Sequence, residues 1–163
     1  MRLRNMTGIY LSCNGKMLML YRQNGSVVSD KWVASAGGHF EPDELNDPYA
    51  CVLRELNEEL GLNESQIENL KLRYIALRNV NGEIRQNYYF FADLKEDVYR
   101  DFSSNEGISK WVDISEVTSL EMPLTAKYVM DHYMAEGRKT EELYSAICDG
   151  SDYRFVPLKE WEK

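Results

Sequence analysis

The chain lacks the features of a membrane protein or of a disulfide-stabilised secreted protein. Its 163 residues contain no run near the roughly 18 apolar residues of a membrane-spanning helix, and the N-terminus has no signal-peptide hydrophobic region. Only three cysteines occur, Cys13, Cys51 and Cys148, and no two of them have Cys-x-x-Cys spacing. We therefore expect reduced thiols, no zinc site, no membrane partner and a cytoplasmic location.

Positive charge is also scarce. Lys and Arg total 19 against 27 Asp and Glu, which gives a formal net charge of -8. Binding to a polynucleotide draws on clustered Lys and Arg, so we expect no polynucleotide partner. A small polyphosphate that arrives as its magnesium complex remains compatible with this charge. The length predicts a single domain over residues 1–163, with a hydrophobic core large enough to be stable without disulfides or a structural metal.

What the chain does have is a dense group of carboxylates in the string Arg54-Glu55-Leu56-Asn57-Glu58-Glu59-Leu60-Gly61-Leu62. Positions three and four apart are neighbours on a helix, so Glu55, Glu58 and Glu59 would share one face and repel one another. A bound cation relieves this repulsion. Hard oxygen ligands of this kind favour Mg²⁺, with Mn²⁺ as the alternative.

The residues on either side of this string predict a helix and a glycine turn before it. Asn46-Asp47-Pro48 offers a side-chain N-cap followed by proline in the first turn, and Gly61 is a typical C-terminal cap. We therefore predict a helix from Pro48 to Leu60. The pair Gly37-Gly38 would let backbone and phosphate approach closely.

Together these residues resemble the Nudix box. The pattern is Gly38, five residues, Glu44, and then the string that begins at Arg54. The family consensus has seven residues between the first Glu and the Arg, whereas this chain has nine, from Leu45 to Leu53. We expect the two extra residues to lengthen the loop before the helix and to leave the helix intact.

The resemblance implies roles for individual residues. It makes Glu55, Glu58 and Glu59 metal ligands together with the backbone carbonyl of Gly37, and it makes Arg54 and Glu44 the groups that orient those ligands. Members of the family often add from a later loop an acid that ligates the metal or serves as general base, and Glu106, five residues before Trp111, occupies that place. The residues expected to take part in catalysis are Glu55, Glu58, Glu59, Glu106 and Arg54. The general base stays open among Glu58, Glu59 and Glu106.

Three further residues are candidates for substrate binding. Arg22, at the end of a predicted strand, corresponds to a position from which many family members contact phosphates. His39 and Gly38 lie at the glycine turn, where His39 offers a hydrogen bond to phosphate.

The rest of the chain predicts an α+β fold, which agrees with the Nudix-type α/β/α sandwich and its mixed, largely antiparallel sheet. Two hairpins are expected at Asn14-Gly15 and Asn81-Gly82. The predicted elements are strands Thr7–Cys13, Lys16–Tyr21, Lys71–Val80, Glu83–Leu94, Lys110–Asp113 and Asp152–Pro157, a loop Gln23–Lys31, and a helix from Pro123 to Gly137.

The resemblance is to the MutT-like branch, which hydrolyses oxidised purine nucleoside triphosphates such as 8-oxo-dGTP. It implies Mg-dependent hydrolysis of a nucleoside triphosphate to monophosphate and pyrophosphate. Val33, Leu124 and Thr125 depart from that branch where the base would be read. ADP-ribose, a nucleotide sugar or another diphosphate thus remain alternative substrates, and a non-catalytic nucleotide sensor is the alternative of another class. The sequence leaves monomer and homodimer open.

Overall fold

A computed structural model describes residues 1–23 and 28–161, so residues 24–27 of the predicted loop lie outside the described part of the chain. The strands are β1 Arg2–Cys13, β2 Lys16–Arg22, β3 Lys31–Val33, β4 Ile67–Val80, β5 Glu83–Leu94, β6 Gly107–Asp113, β7 Tyr144–Cys148 and β8 Tyr153–Pro157. The α-helices are α1 Pro48–Leu60 and α2 Leu124–Ala135. Short 3-10 turns connect several of these elements, among them Pro42–Glu44 before α1.

All eight strands form one mixed sheet. The strand order is β3-β2-β1-β5-β4-β7-β8, and β6 pairs with β2. The pairs β1–β5 and β4–β7 are parallel, and the other pairs are antiparallel. The predicted mixed, largely antiparallel sheet is therefore confirmed.

Both predicted hairpins form at their Asn-Gly pairs. Asn14 and Gly15 have φ values of 50° and 74°, and Asn81 and Gly82 have 53° and 76°. Positive φ at both central residues is what a tight turn between twisted strands requires, and Asn and Gly adopt it most readily. The first strand begins at Arg2, earlier than predicted, because its N-terminal half pairs with β5 in parallel.

Helices cover both faces of the sheet. Val52, Leu56 and Leu60 of α1 pack in one apolar cluster with Ile9 and Leu11 of β1. On the opposite face, Val129 and Met130 of α2 pack in a second cluster with Tyr10 and neighbours from β2, β4 and β5. The two faces follow from the two-residue period of a strand, which turns alternate side chains of β1 to opposite sides. This arrangement confirms the α/β/α sandwich.

Several elements differ from the sequence-based expectation, since β4 begins at Ile67 rather than Lys71 and β6 begins at Gly107 rather than Lys110. Strand β7 was not predicted; it is five residues long and is specified by its pairing with β4 and β8 rather than by its own pattern. In α2, Pro123 is the N-cap rather than a helical residue, and the helix ends at Ala135.

Among the described residues, no helix is long and apolar enough to cross a membrane.

Candidate active site

The helix α1 has the limits that its capping residues predicted. The Asp47 side chain accepts a hydrogen bond from the Ala50 backbone N–H at 3.0 Å, and Pro48 occupies the first turn. Gly61 adopts a φ of 65° and donates its N–H to the Asn57 carbonyl at 2.9 Å. The helix is unbroken from Pro48 to Leu60, so the two extra residues of the box do not interrupt it.

The Gly37-Gly38 pair runs beside β1 with almost no space for side chains. The backbone N–H groups of Thr7 and Ile9 donate to the carbonyls of Gly38 and Ala36 at 2.8 and 2.9 Å. A Cβ on Gly37 would lie 2.3 Å from the Thr7 carbonyl oxygen. On Gly38 it would lie 2.3 Å from the Glu55 carboxylate, so the lack of a side chain at Gly38 makes room for a site residue.

Arg54 holds the acids of α1 and of the preceding turn in place. Its Nε and Nη2 donate to the two carboxylate oxygens of Glu44 at 2.7 and 2.9 Å. Its Nη1 donates to Glu55 at 2.8 Å and to Glu58 at 3.1 Å, and Nη2 also reaches the His39 carbonyl at 2.9 Å. Such a fork fixes the direction of each carboxylate. The orienting arrangement proposed for Arg54 and Glu44 is thus present as a contact.

The carboxyl groups of the site have very different proton affinities. Hydrogen bonds from Arg54 hold the pKa of the buried Glu44 at about 2. Burial raises the pKa of Glu55 despite its contact with Arg54. Burial, then the negative charges of Glu106 and Glu55, raise the pKa of Glu59 to about 7, against the hydrogen bond from the Gly37 N–H. Burial and the two neighbouring carboxylates therefore both disfavour the charged form of Glu59.

A cleft of about 630 Å³ contains most of the predicted site residues, and we call it the active-site cleft. Its lining includes three of the predicted acids, Glu55, Glu59 and Glu106, and also Arg22, Gly37, Gly38, His39 and Arg54. Glu58 is exposed, contacts Arg54 and does not belong to the lining among the described residues. Glu44 is buried and contacts Arg54 from outside the lining.

The loop acid Glu106 comes next to Arg22 through strand pairing. Arg22 lies opposite Gly107 in the β2–β6 register, and its Nη2 is 2.5 Å from Glu106 Oε2. A Cβ on Gly107 would lie 2.0 Å from the Tyr21 carbonyl oxygen, so glycine allows this close pairing. Two candidates from distant parts of the sequence therefore form one ion pair beside Glu59.

The side chain of His39 is a hydrogen-bond partner of Arg4 in this structure. Its Nε2 accepts a hydrogen bond from Arg4 Nε at 2.8 Å. Partial burial and the charges of Arg4 and Arg22 lower its pKa, which favours the neutral ring that such an acceptor requires. The predicted contact of His39 with phosphate stays a prediction.

The acids suit a hard cation by their chemistry, although their side chains are not gathered around one point. Within the described ranges, no three His, Cys, Asp or Glu side chains are grouped so that they could hold one metal ion. The acids that line the cleft offer carboxylate oxygens, the donors that Mg²⁺ and Mn²⁺ prefer. Burial is the first cause of the raised pKa of Glu59, and a cation would relieve the repulsion by Glu106 and Glu55 that adds to it. The donor set therefore fits a divalent metal.

Charged and amide side chains that were not predicted from the sequence also line the cleft, namely Arg4, Glu41, Arg78, Arg85 and Asn87. For Arg78 and Arg85, the sequence did contain a signal. A two-residue turn at Asn81-Gly82 fixes Val80 opposite Glu83 and therefore Arg78 opposite Arg85.

The positions that depart from the MutT-like branch are divided between cleft and surface. Val33 and Thr125 line the cleft. Leu124 is 59% exposed and is not part of the lining among the described residues. Only the first two can therefore contact a ligand in the cleft as it stands.

A comparison with protein families gives a match to the NUDIX domain over residues 1–134. The chain belongs to the Nudix family. The match confirms the family that the box predicted. It also confirms that the chain is a hydrolase of the Nudix class. A search of curated proteins found no significant match.

Solved structures with the same fold include MutT proteins. A mutator MutT protein from Bacillus halodurans is 21% identical with a TM-score of 0.68, covering 93% of this chain and 97% of that one. A NUDIX hydrolase from Nitrosomonas europaea is 16% identical with a TM-score of 0.68, covering 91% and 80%. An Ap4A hydrolase from C. elegans is 18% identical with a TM-score of 0.57, covering 84% and 96%. At these identities the similarity shows the fold.

Proposed function

We propose that this Nudix protein acts as one domain over residues 1–163 and hydrolyses a diphosphate bond in a nucleotide-type substrate with Mg²⁺, or Mn²⁺ in its place. The observation that carries the proposal is that Glu55, Glu59 and Glu106 line one cleft together with Arg22. This reaction needs acids that bind a cation and a positively charged side chain that binds phosphate. The strands β7 and β8, beyond the matched region, extend the same sheet and support the single domain.

Glu55, Glu59 and Glu106 would hold the metal with the Gly37 carbonyl, and Glu58 would join them from the exposed side of α1. When bound, the metal supplies charge neutralisation at phosphate oxygens and a more acidic water. Arg54 keeps Glu55 in position through the 2.8 Å hydrogen bond. Glu59 is the candidate proton acceptor favoured by a pKa of about 7 in the metal-free protein.

For the substrate we propose a nucleoside triphosphate, cleaved to monophosphate and pyrophosphate. The resemblance to the MutT-like branch and MutT proteins among the structural neighbours support this choice. The Ap4A hydrolase neighbour makes dinucleoside polyphosphates a second group to test, beside ADP-ribose and nucleotide sugars. We propose that Arg22 and His39, which both line the cleft, contact the phosphates.

The test is a panel of these compounds with Mg²⁺, Mn²⁺ or EDTA, scored for release of phosphate or pyrophosphate. We expect turnover with either metal and none with EDTA. Glu59→Gln and Glu58→Gln should each reduce kcat by at least about 100-fold, as loss of a catalytic acid or base does. Glu64→Gln, which changes an exposed acid outside the cleft, is the matched control. Unchanged turnover in Glu59→Gln would refute the site.

The alternative function, a non-catalytic nucleotide sensor, predicts tight binding without turnover for every compound of the panel. The presence of all box acids and of Arg54 favours the enzyme. We also expect the chain to act in the cytoplasm without a polynucleotide or membrane partner. Size-exclusion chromatography with light scattering would decide between monomer and homodimer.

A further inference from the structure

Three arginines form a row across the sheet inside the active-site cleft. Arg4 of β1 pairs with Arg85 of β5, and Arg85 pairs with Arg78 of β4. All three line the cleft. We call Arg4, Arg85 and Arg78 the arginine row. Like charges on adjacent strands destabilise a sheet unless something offsets them.

The protein offsets only part of this charge. Glu83 binds Arg85 at 2.7 Å and lies 3.9 Å from Arg4. The other partner of Arg4 is neutral His39. Three guanidinium charges minus one carboxylate charge leave the row with a charge of +2.

Arg78 has no partner among the residues that the structure describes. In the described part of the chain its side chain makes no hydrogen bond or ion pair, and its Nε is buried and unsatisfied. The hydroxyl of Tyr10, which also lines the cleft, is likewise buried without a hydrogen-bond partner among the described residues. Buried donors without acceptors are unfavourable, so both atoms indicate a polar group that arrives from outside.

The surroundings of Arg78 suit the far part of a substrate. Asn87 lies two residues beyond Arg85 on β5 and provides an amide, and Tyr89 provides a ring that lines the cleft. The cleft is continuous from Glu59 to this row, so one molecule can reach both. An arginine fork binds phosphate through paired hydrogen bonds.

We propose that the arginine row binds a phosphate monoester that the substrate carries in addition to the diphosphate that is cleaved. The dianionic phosphate matches the charge of +2, whereas a carboxylate would neutralise half of it. This inference rests on the proposed diphosphate hydrolysis, and it favours a substrate other than a simple nucleoside triphosphate, which has no phosphate outside its triphosphate chain. The substrate class is a diphosphate compound whose far moiety has its own phosphate group.

The test uses substrate pairs that differ only in a remote phosphate. These are coenzyme A against 3′-dephospho-coenzyme A, and NADPH against NADH. We expect kcat/KM to favour the phosphorylated member by at least about 10-fold, the size of one charge-assisted contact. UDP-glucuronate against UDP-glucose tests the carboxylate, and a preference that is larger for that pair would overturn the assignment to phosphate.

Variants connect the preference to Arg78. Arg78→Gln should bring the ratio within each phosphate pair close to one by slowing only the phosphorylated member, and Arg78→Lys should keep part of it. Arg154→Gln, which changes an exposed arginine on β8 outside the cleft, is the control and should keep the full ratio. A preference that survives Arg78→Gln in a protein with an unchanged melting temperature would overturn the inference.

Calorimetric binding to the Glu59→Gln protein separates this inference from the proposed function. The phosphorylated member of each pair should bind at least about 10-fold more tightly, and Arg78→Gln in the same background should remove the difference. If no compound is hydrolysed by the unmodified protein but this difference in Kd persists, the hydrolase proposal fails and the phosphate site stands. Equal Kd values within both pairs, or no binding by either member, would overturn the phosphate site.

Discussion

At the scale of the residue, one guanidinium connects the acids of the site with the turn before α1. Arg54 contacts Glu44, Glu55 and Glu58 at once, and its bonds to Glu44 use both oxygens of a carboxylate that is 6% exposed. Removal of one partner from a buried charge pair leaves the other charge without compensation. The contact is therefore structural as well as orienting.

We predict that Arg54→Met lowers the free energy of unfolding by about 3 kcal/mol at neutral pH, because Glu44 is then buried and unpaired. Urea unfolding monitored by circular dichroism measures this. The double variant Arg54→Met/Glu44→Gln should recover part of the loss, since the buried charge is gone. A double variant no more stable than Arg54→Met would contradict this explanation.

The two adjacent glycines should respond differently to alanine. In Gly37→Ala the new Cβ meets the backbone of Thr7 at 2.3 Å, so the melting temperature should fall. In Gly38→Ala it meets the Glu55 carboxylate, which can move. We expect Gly38→Ala to keep nearly the unmodified melting temperature and to lose at least about 10-fold in kcat, because it displaces the carboxylate that we propose as a metal ligand. Full activity in Gly38→Ala would show that Glu55 need not stay where it is.

At the scale of the element, nearby residues set the limits of some helices and turns, whereas pairing with distant strands set the limits of others. The limits of α1 and both hairpin turns depend on residues within a few positions, Asp47-Pro48 and Gly61 for the helix and the Asn-Gly pairs for the turns. These were predicted correctly. The short strand β7 and the early start of β4 depend on strands distant in sequence, so no local pattern indicated them.

The N-terminal cap of α1 provides a test at this scale. Asn46-Asp47-Pro48 offered two candidate cap side chains, and the structure uses Asp47, which accepts from Ala50 N–H at 3.0 Å. Asp47→Ala should lower the free energy of unfolding by about 1 kcal/mol, as loss of an N-cap does. Asn46→Ala is the matched control and should change it by less than about 0.5 kcal/mol. The opposite order of the two effects would assign the cap to Asn46.

At the scale of the whole molecule, the buried and half-buried carboxyl groups of the candidate site make stability depend on pH. Glu59 has its pKa raised from an ordinary 4.5 to about 7, so the folded protein holds that proton more tightly than the unfolded chain does. Its effect is to lower stability as pH rises from 4.5 through about 7. Glu44, with a pKa of about 2, acts in the other direction and loses its contribution as pH falls below 4.5.

We predict that metal-free Glu59→Gln protein is more stable than the unmodified chain at about pH 8, by about 1–3 kcal/mol with allowance for partial exposure, and equal to it near about pH 4.5. Urea unfolding in EDTA across this range measures the difference. A difference that does not change with pH would mean that Glu59 does not titrate in this range. Addition of Mg²⁺ to the unmodified protein should reduce the gap at high pH.

By itself, the sequence determined the family, the α+β class, the helix α1 with its acids, and the two hairpins, because spacing and capping act over a few residues. Only the tertiary structure decided how distant residues meet. It joined Arg22 to Glu106 across β2 and β6, turned Glu58 toward Arg54 and out of the cleft, and aligned Arg4, Arg85 and Arg78 across three strands. Strand register and burial set these contacts, and both depend on parts of the chain that no local pattern connects.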